Sequence, residues 1–220
     1  MPDYSKIFNP NKSTFLFAGS VRGQYLNEIP EADHKKVVTA RLIGFKAKDL
    51  SGLTGFMPEL KELTIEKNTK LISLEGVQQW NLEKLCLDGC SGLTNYKPVE
   101  NLKFLKVFKT TSVPLGTDVL KFLGANVKEL GIDPNTKDIE LLSGMSGLQY
   151  LSLVCDRCDC KSLPVLPKGL KSLLISGDFD NLNDASFMSN LNPKINLTSW
   201  INTKGMKNVP AGFKNHPKFS

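Results

Sequence analysis

Six segments of this chain share one pattern: LKELTI, LEKLCL, LKFLKV, VKELGI, LQYLSL and LKSLLI. Each puts an aliphatic residue at its first, fourth and sixth positions. The fourth positions are Leu63, Leu85, Leu105, Leu130, Leu151 and Leu173, spaced 20 to 25 residues apart. Two weaker copies extend the series. VVTARL offers Val37, Ala40 and Leu42, and NPKINL offers Ile195 and Leu197 in the last two places. A recurrence of this length is the mark of a repeat array. One copy is too small to bury its own aliphatics, so each must stack on its neighbours to form a continuous apolar column.

The Lxx-L-x-L spacing resembles the strand segment of the leucine-rich-repeat superfamily over about residues 37 to 200. That resemblance implies an α/β solenoid, a right-handed superhelix with a parallel β-sheet on the concave face. Short turns, 3₁₀ segments or short helices would line the convex face. Side chains alternate along a strand, so Leu42, Ile65, Leu87, Val107, Ile132, Leu153, Ile175 and Leu197 are expected to point inward as the last residue of each copy. A polar or thiol residue follows at the turn, as at Asn68, Cys90, Thr110, Asn135, Asp156 and Asp178. A period near 22 residues leaves about ten for the return path, too few for a long helix between two loops. Two return segments nevertheless read as helical: TDVLKFLGAN, with Thr117 as N-cap, and DASFMSNL.

The array reads as a single domain, 1–220, with an N-terminal cap over 1–36, about eight repeats over 37–200, and a C-terminal cap and tail over 201–220. Solenoid ends expose apolar faces and need covering. TFLFAG (14–19) can supply an extra strand at one end, with EADHKK as a polar turn. Trp200, Ile201, Met206, Val209 and Phe213 can cover the other.

Charge and motifs narrow the function. The 220 residues carry a net charge of +6, but the lysines alternate with acids and no Arg/Lys block occurs, which argues against nucleic acid. No apolar run approaches a membrane span. MPDYSKIFNPNKS lacks the pattern of a cleaved leader, so a cytoplasmic protein is expected, with export by a route that removes no leader as the alternative. There is no GxxxxGK[ST], GxGxxG, HExxH or GxSxG, and the two histidines sit near opposite ends. No catalytic residue and no cofactor is expected. The cluster CDRCDC leaves one question open: Cys155, Cys158 and Cys160 could hold zinc, remain free thiols, or close a local disulfide, and a metal- or thiol-dependent activity there is the third functional alternative.

The outward positions of the strands form three rows. The first reads Thr39, Glu62, Lys84, Phe104, Glu129, Tyr150, Ser172 and Lys194. The second reads Arg41, Thr64, Cys86, Lys106, Gly131, Ser152, Leu174 and Asn196. The third reads Ile43, Glu66, Asp88, Phe108, Asp133, Val154, Ser176 and Thr198. Phe104, Phe108 and Tyr150 put aromatics where anchors of protein interfaces are found. Glu62, Glu66, Asp88, Glu129 and Asp133 surround them, with Arg41 and Lys106 between, so the face reads as acidic on a basic chain. Edge packing is the other home for those phenylalanines. The expected function is non-catalytic recognition of another protein, basic and partly apolar, on the concave sheet. The alternative is a secreted effector or adhesin engaging a host molecule. LPVLPKGLKSLLIS (163–176) is similar to the LPxLPxxLxxL repeat of secreted bacterial effectors. Other small bacterial members of the superfamily act as binding proteins, including ones that neutralise toxins, so the resemblance also implies that a toxin is one kind of partner to expect.

Overall fold

The computed structural model describes residues 8–9, 14–18, 35–45, 47–53, 55–111, 116–199 and 205–214. Its contacts group into two compact units, 1–109 and 110–220. In each, the strands follow one another in chain order through a sheet.

The first unit opens with β1 (Phe8–Asn9), antiparallel to β2 (Thr14–Ala18). β2 is the added strand foreseen in TFLFAG, and it runs parallel to β3 (Thr39–Ile43). β4 (Glu62–Glu66) and β5 (Lys84–Asp88) continue in parallel, with Ala40 beside Leu63 and Leu63 beside Leu85. Alternation then does the sorting. Leu42, Leu63, Ile65, Leu85 and Leu87 are each at most 1% exposed. Burying a leucine of this kind is worth about 2–3 kcal/mol, which the neighbouring coil supplies. The coils are tied by a repeated device: one carbonyl takes two successive N–H donors from the next coil. Val38 O accepts from Lys61 and Glu62, Lys61 O from Glu83 and Lys84, and Glu83 O from Lys106 and Val107.

That last pair corrects the third repeat. Lys106 and Val107 stand where Lys61 and Glu62 stand, so the middle inward residue is Phe108 and not Leu105. β6 spans Val107–Thr110; Leu105, Phe108 and Thr110 are buried, while Val107 is only half-buried. The segment is therefore read as LKVFKT, three residues beyond LKFLKV. Thr110 fills the last inward place and is not a turn residue.

In the second unit β7 (Glu129–Ile132), β8 (Tyr150–Cys155), β9 (Ser172–Gly177) and β10 (Asn196–Ser199) are parallel neighbours in that order. Gln149 and Tyr150 share Lys128 O, and Lys171 and Ser172 share Gln149 O, repeating the tie of the first unit. The final copy also moves: Leu197 lies beside Leu173, so it is the middle residue and not the last.

Every described return segment containing a helix is 3₁₀, including Val77–Gln79, Lys97–Asn101, Ile139–Gly144 and Ala211–Phe213. The two stretches expected to be helical form only three-residue 3₁₀ turns, Leu120–Phe122 and Ser186–Met188. Thr117 is not a cap. The Asp138 carboxylate, from the following coil, accepts the N–H groups of Val119 and Lys121 instead. Asn68 performs the turn role foreseen for it, accepting from Lys70 and Leu71 N–H while donating to Ala47 O one coil back. Cys90, in the equivalent place, donates to Ile65 O, and burial pushes its thiol up to about 11. Phe213 is buried, whereas Trp200, Ile201, most of the 1–36 segment and both histidines lie outside the described residues.

Candidate functional site

The sheet face opposite the core differs between the two units. In the first, register sets Thr39, Glu62 and Lys84 in one row, Arg41, Thr64 and Cys86 in the next, and Ile43, Glu66 and Asp88 in the third. Arg41 and Glu66 are diagonal neighbours and form a two-pronged pair, Nε to Oε1 at 2.7 Å and Nη2 to Oε2 at 2.9 Å. Glu62 faces Lys84 at 3.7 Å. Two of the expected acids are thus neutralised by cations on the same face, and Asp88 stays exposed beside them. Such exposed pairs add little to stability, but they cost a partner the work of separating or desolvating them.

Lys106 is not on this face. It stands in the row that leads into the strands, where Glu83 pairs with Lys106 at 2.6 Å and Lys61 at 3.5 Å. Lys106 first, then Lys61, hold the Glu83 carboxyl below the usual carboxylate range. Phe104 is 57% exposed, yet it occupies the turn before β6 and no strand position. Phe108 is 0% exposed and meets Tyr96 edge-on inside the core. The three-residue shift of this repeat explains all three displacements: side chains assigned to the open face go to the turn, the leading row and the interior.

The second unit presents a different surface. Tyr150, Ser172 and Asn196 align across β8, β9 and β10; Ser152, Leu174 and Thr198 form the next row, and Val154 lies beside Ser176. All eight are uncharged. Tyr150 is 45% exposed, and Leu174 and Val154 are half-buried. Glu129, on β7 beside Tyr150, borders the group, and Gly131 beside Ser152 carries no side chain. A surface of hydroxyls, two aliphatics and a tyrosine can be covered without stripping water from any charge.

Asp133 does not join it, being only 7% exposed. Burial raises its carboxyl above the ordinary value, and Asp156 adds to that, while the Asn135 N–H it accepts at 2.9 Å pulls the other way. A folded value above the unfolded one means that native protein keeps a proton the unfolded chain has lost, so stability falls as pH rises through that interval. Asp133→Asn keeps the acceptor for Asn135 and removes the charge. We expect a higher melting temperature than wild type at neutral pH, the gap closing under acid conditions where Asp133 is protonated. Parallel thermal melts at the two pH values check this, and a lower neutral melting temperature would contradict it.

The CDRCDC cluster closes on itself. Cys158 and Cys160 form a disulfide, which leaves Cys155 as its one thiol and removes two of the three thiolates a zinc site would require. Among the described residues no group of three His, Cys, Asp or Glu side chains is placed to hold a metal ion. No described helix is long and apolar enough to cross a membrane.

Comparison with solved structures settles the architecture. Internalin C2 from Listeria monocytogenes superposes with a TM-score of 0.64 at 20% identity, covering 87% of this chain and 81% of that one. The chain has the leucine-rich-repeat fold. A second Listeria monocytogenes internalin, inlF, gives a TM-score of 0.40 at 19% identity, over 77% of this chain and 63% of that chain. No family model and no curated protein sequence matches. Likeness at this level of identity speaks for the leucine-rich-repeat backbone and not for any shared ligand.

Proposed function

We propose that this leucine-rich-repeat protein is a non-catalytic module that binds another protein through the open face of β8–β10. The observation that supports the reading is the uncharged patch of Tyr150, Ser152, Val154, Ser172, Leu174 and Ser176. Strand side chains outside the column have no structural duty there, and tyrosine is enriched among residues that dominate interface energies. On the charged face of β3–β5, Glu66 and Glu62 are already paired with Arg41 and Lys84, so its acids offer a basic partner less than their number suggests. The partner's matching surface is therefore uncharged and partly apolar at its centre, with Glu129 at the border setting orientation.

The test begins with capture from native lysate on immobilised wild-type protein, followed by affinity measurement with the purified partner. Tyr150→Ala weakens that complex about thirtyfold, roughly 2 kcal/mol, while the fold is kept. Glu66→Lys combined with Asp88→Lys serves as the control on the other unit and changes affinity little. The reverse pattern would move the site to β3–β5.

A second reading, an exported protein whose repeats engage a host molecule, has one observation in its favour. The Cys158–Cys160 disulfide belongs to the chemistry of oxidising compartments. Fractionation of native cells separates the two readings, since only the second places the protein outside the cytoplasm.

A further inference from the structure

We propose that the Cys158–Cys160 disulfide is a reversible thiol–disulfide exchange site, attacked by an external thiolate at Cys160 with Cys158 as the leaving group. The proposal is independent of what binds the sheet face.

A structural role for this bridge is small. It links residues two apart in sequence, and the restriction a disulfide places on the unfolded chain shrinks with the loop it closes. The loop is also held without it. Cys158 N–H donates to Asp178 O at 2.7 Å, and Asn181 Nδ2 donates to Cys158 O at 3.3 Å. Asn135 clamps the loop from the other side, donating to Arg157 O at 2.7 Å and accepting from Asp159 N–H at 3.3 Å. With its backbone fixed in this way, the loop keeps the two thiols adjacent after reduction. Re-formation of the bond is then intramolecular and fast.

The two sulfurs are not equivalent. Cys160 is partly exposed, whereas Cys158 is 0% exposed, so an incoming thiolate reaches only the former. The Cys160 N–H points at Cys158 Sγ, 3.4 Å away. A donor there stabilises the negative charge that grows on Cys158 as the S–S bond breaks, and a better-stabilised leaving thiolate leaves faster. Arg157, paired with Asp159 at 3.3 Å, offsets part of the negative charge around the approach. Cys155 stays out of the exchange. Burial first, then Asp133, Asp178 and Asp156, push its thiol up to about 12, and it donates to Asp178 O at 3.7 Å. A thiol kept protonated does not attack, so the bridge does not shuffle onto it.

The step balances with an external thiol as reductant. A thiolate RS⁻ bonds to Cys160 Sγ, the Sγ–Sγ bond breaks, and its electron pair leaves on Cys158, which takes up a proton. A second thiolate, the other arm of a dithiol or another monothiol, then displaces Cys160. The reductant is oxidised to its disulfide, and two protein thiols result.

The experiment uses native oxidised protein and glutathione as the probe. Brief exposure, acid quench and peptide mass mapping should show the mixed disulfide on Cys160 at least tenfold above Cys158. Dithiothreitol should raise the thiol count from three (Cys86, Cys90 and Cys155) to five while the protein stays folded, and oxidised glutathione should restore three. Cys158→Ser should trap glutathione on Cys160, and Cys160→Ser should not become modified at position 158. Five thiols before reduction, equal labelling of both sulfurs, or reduction only after unfolding would each overturn the proposal. The wild-type mapping decides the matter even if a variant fails to fold.

Discussion

Phe108→Ala lowers the free energy of unfolding by about 3–5 kcal/mol, the cost of emptying a well-packed aromatic site. The ring is fully enclosed, and its edge meets Tyr96 at 6.4 Å between centroids and 74° between planes. An aromatic pair of this geometry adds about 0.5–1.5 kcal/mol to simple burial. The cavity has little means of collapse, because Lys106 and Val107 N–H are both fixed on Glu83 O and hold the start of β6 in place. Domains of this size are stable by only about 5–15 kcal/mol, so the variant gives up at least about a fifth, and up to all, of the original margin. Chemical denaturation gives the number. Phe104→Ala is the companion measurement, expected to stay within about 0.5 kcal/mol because that ring lies exposed on a turn. Should the two variants exchange these values, the repeat would run through Leu105 and Val107 after all.

Gly177→Ala should cost at least about 3 kcal/mol, for a reason unrelated to cavities. Gly177 has φ +118°, a conformation L residues rarely adopt, and it lies beside Cys155 in the β8–β9 register. A methyl group built there would sit 1.8 Å from Cys155 O and 2.9 Å from Cys155 C. Both are backbone atoms, so no side chain can turn aside to make room. The strands must part at the Val154–Ser176 and Cys155–Gly177 pairs, and amide exchange in β8 and β9 should quicken there first. Gly124→Ala is the matched control. Nothing lies within 4 Å of its new methyl, and the change should be neutral or slightly stabilising. An unchanged melting temperature for Gly177→Ala would mean that the two strands do not approach so closely.

The repeat architecture was legible because aliphatic spacing and strand alternation are the same physical fact seen twice. Leu63, Leu85, Leu130, Leu151 and Leu173 are all buried where the pattern puts them. It misled at the third copy for an equally physical reason. Leu102, Leu105 and Val107 mimic the motif just ahead of the true strand, in which phenylalanine and threonine replace leucine at 108 and 110. One signal was present. Taking Leu105 gives intervals of 20 and 25 residues, whereas Phe108 gives 23 and 22. In a stack of coils, even intervals are the better guide than residue type.

The candidate face was harder to read. Sequence counts charges one at a time, but the pairing of Arg41 with Glu66 depends on β3 and β4 lying in one particular register. The burial of Asp133, and the charge of Asp156 that acts on it from the next coil, likewise arise only on folding. The uncharged rows on β8 and β9 were visible among the outward positions, but the sequence reading set Lys194 beside them, where the β10 register puts Asn196 instead. Their importance emerged only once Glu62 and Glu66 proved to be paired and Asp133 interior.

The recurring tie between coils, one carbonyl shared by two amides of the next, involves backbone atoms alone. It is indifferent to which side chains flank it. A whole period could therefore be duplicated or removed within a unit, and the severed ends would find the same partners again. Length would then be free to vary by units of one period, whereas an insertion of a few residues would fall on a return segment and leave the strands in step. Descent by gain and loss of entire coils, with local drift confined to the turns, is the history such wiring permits.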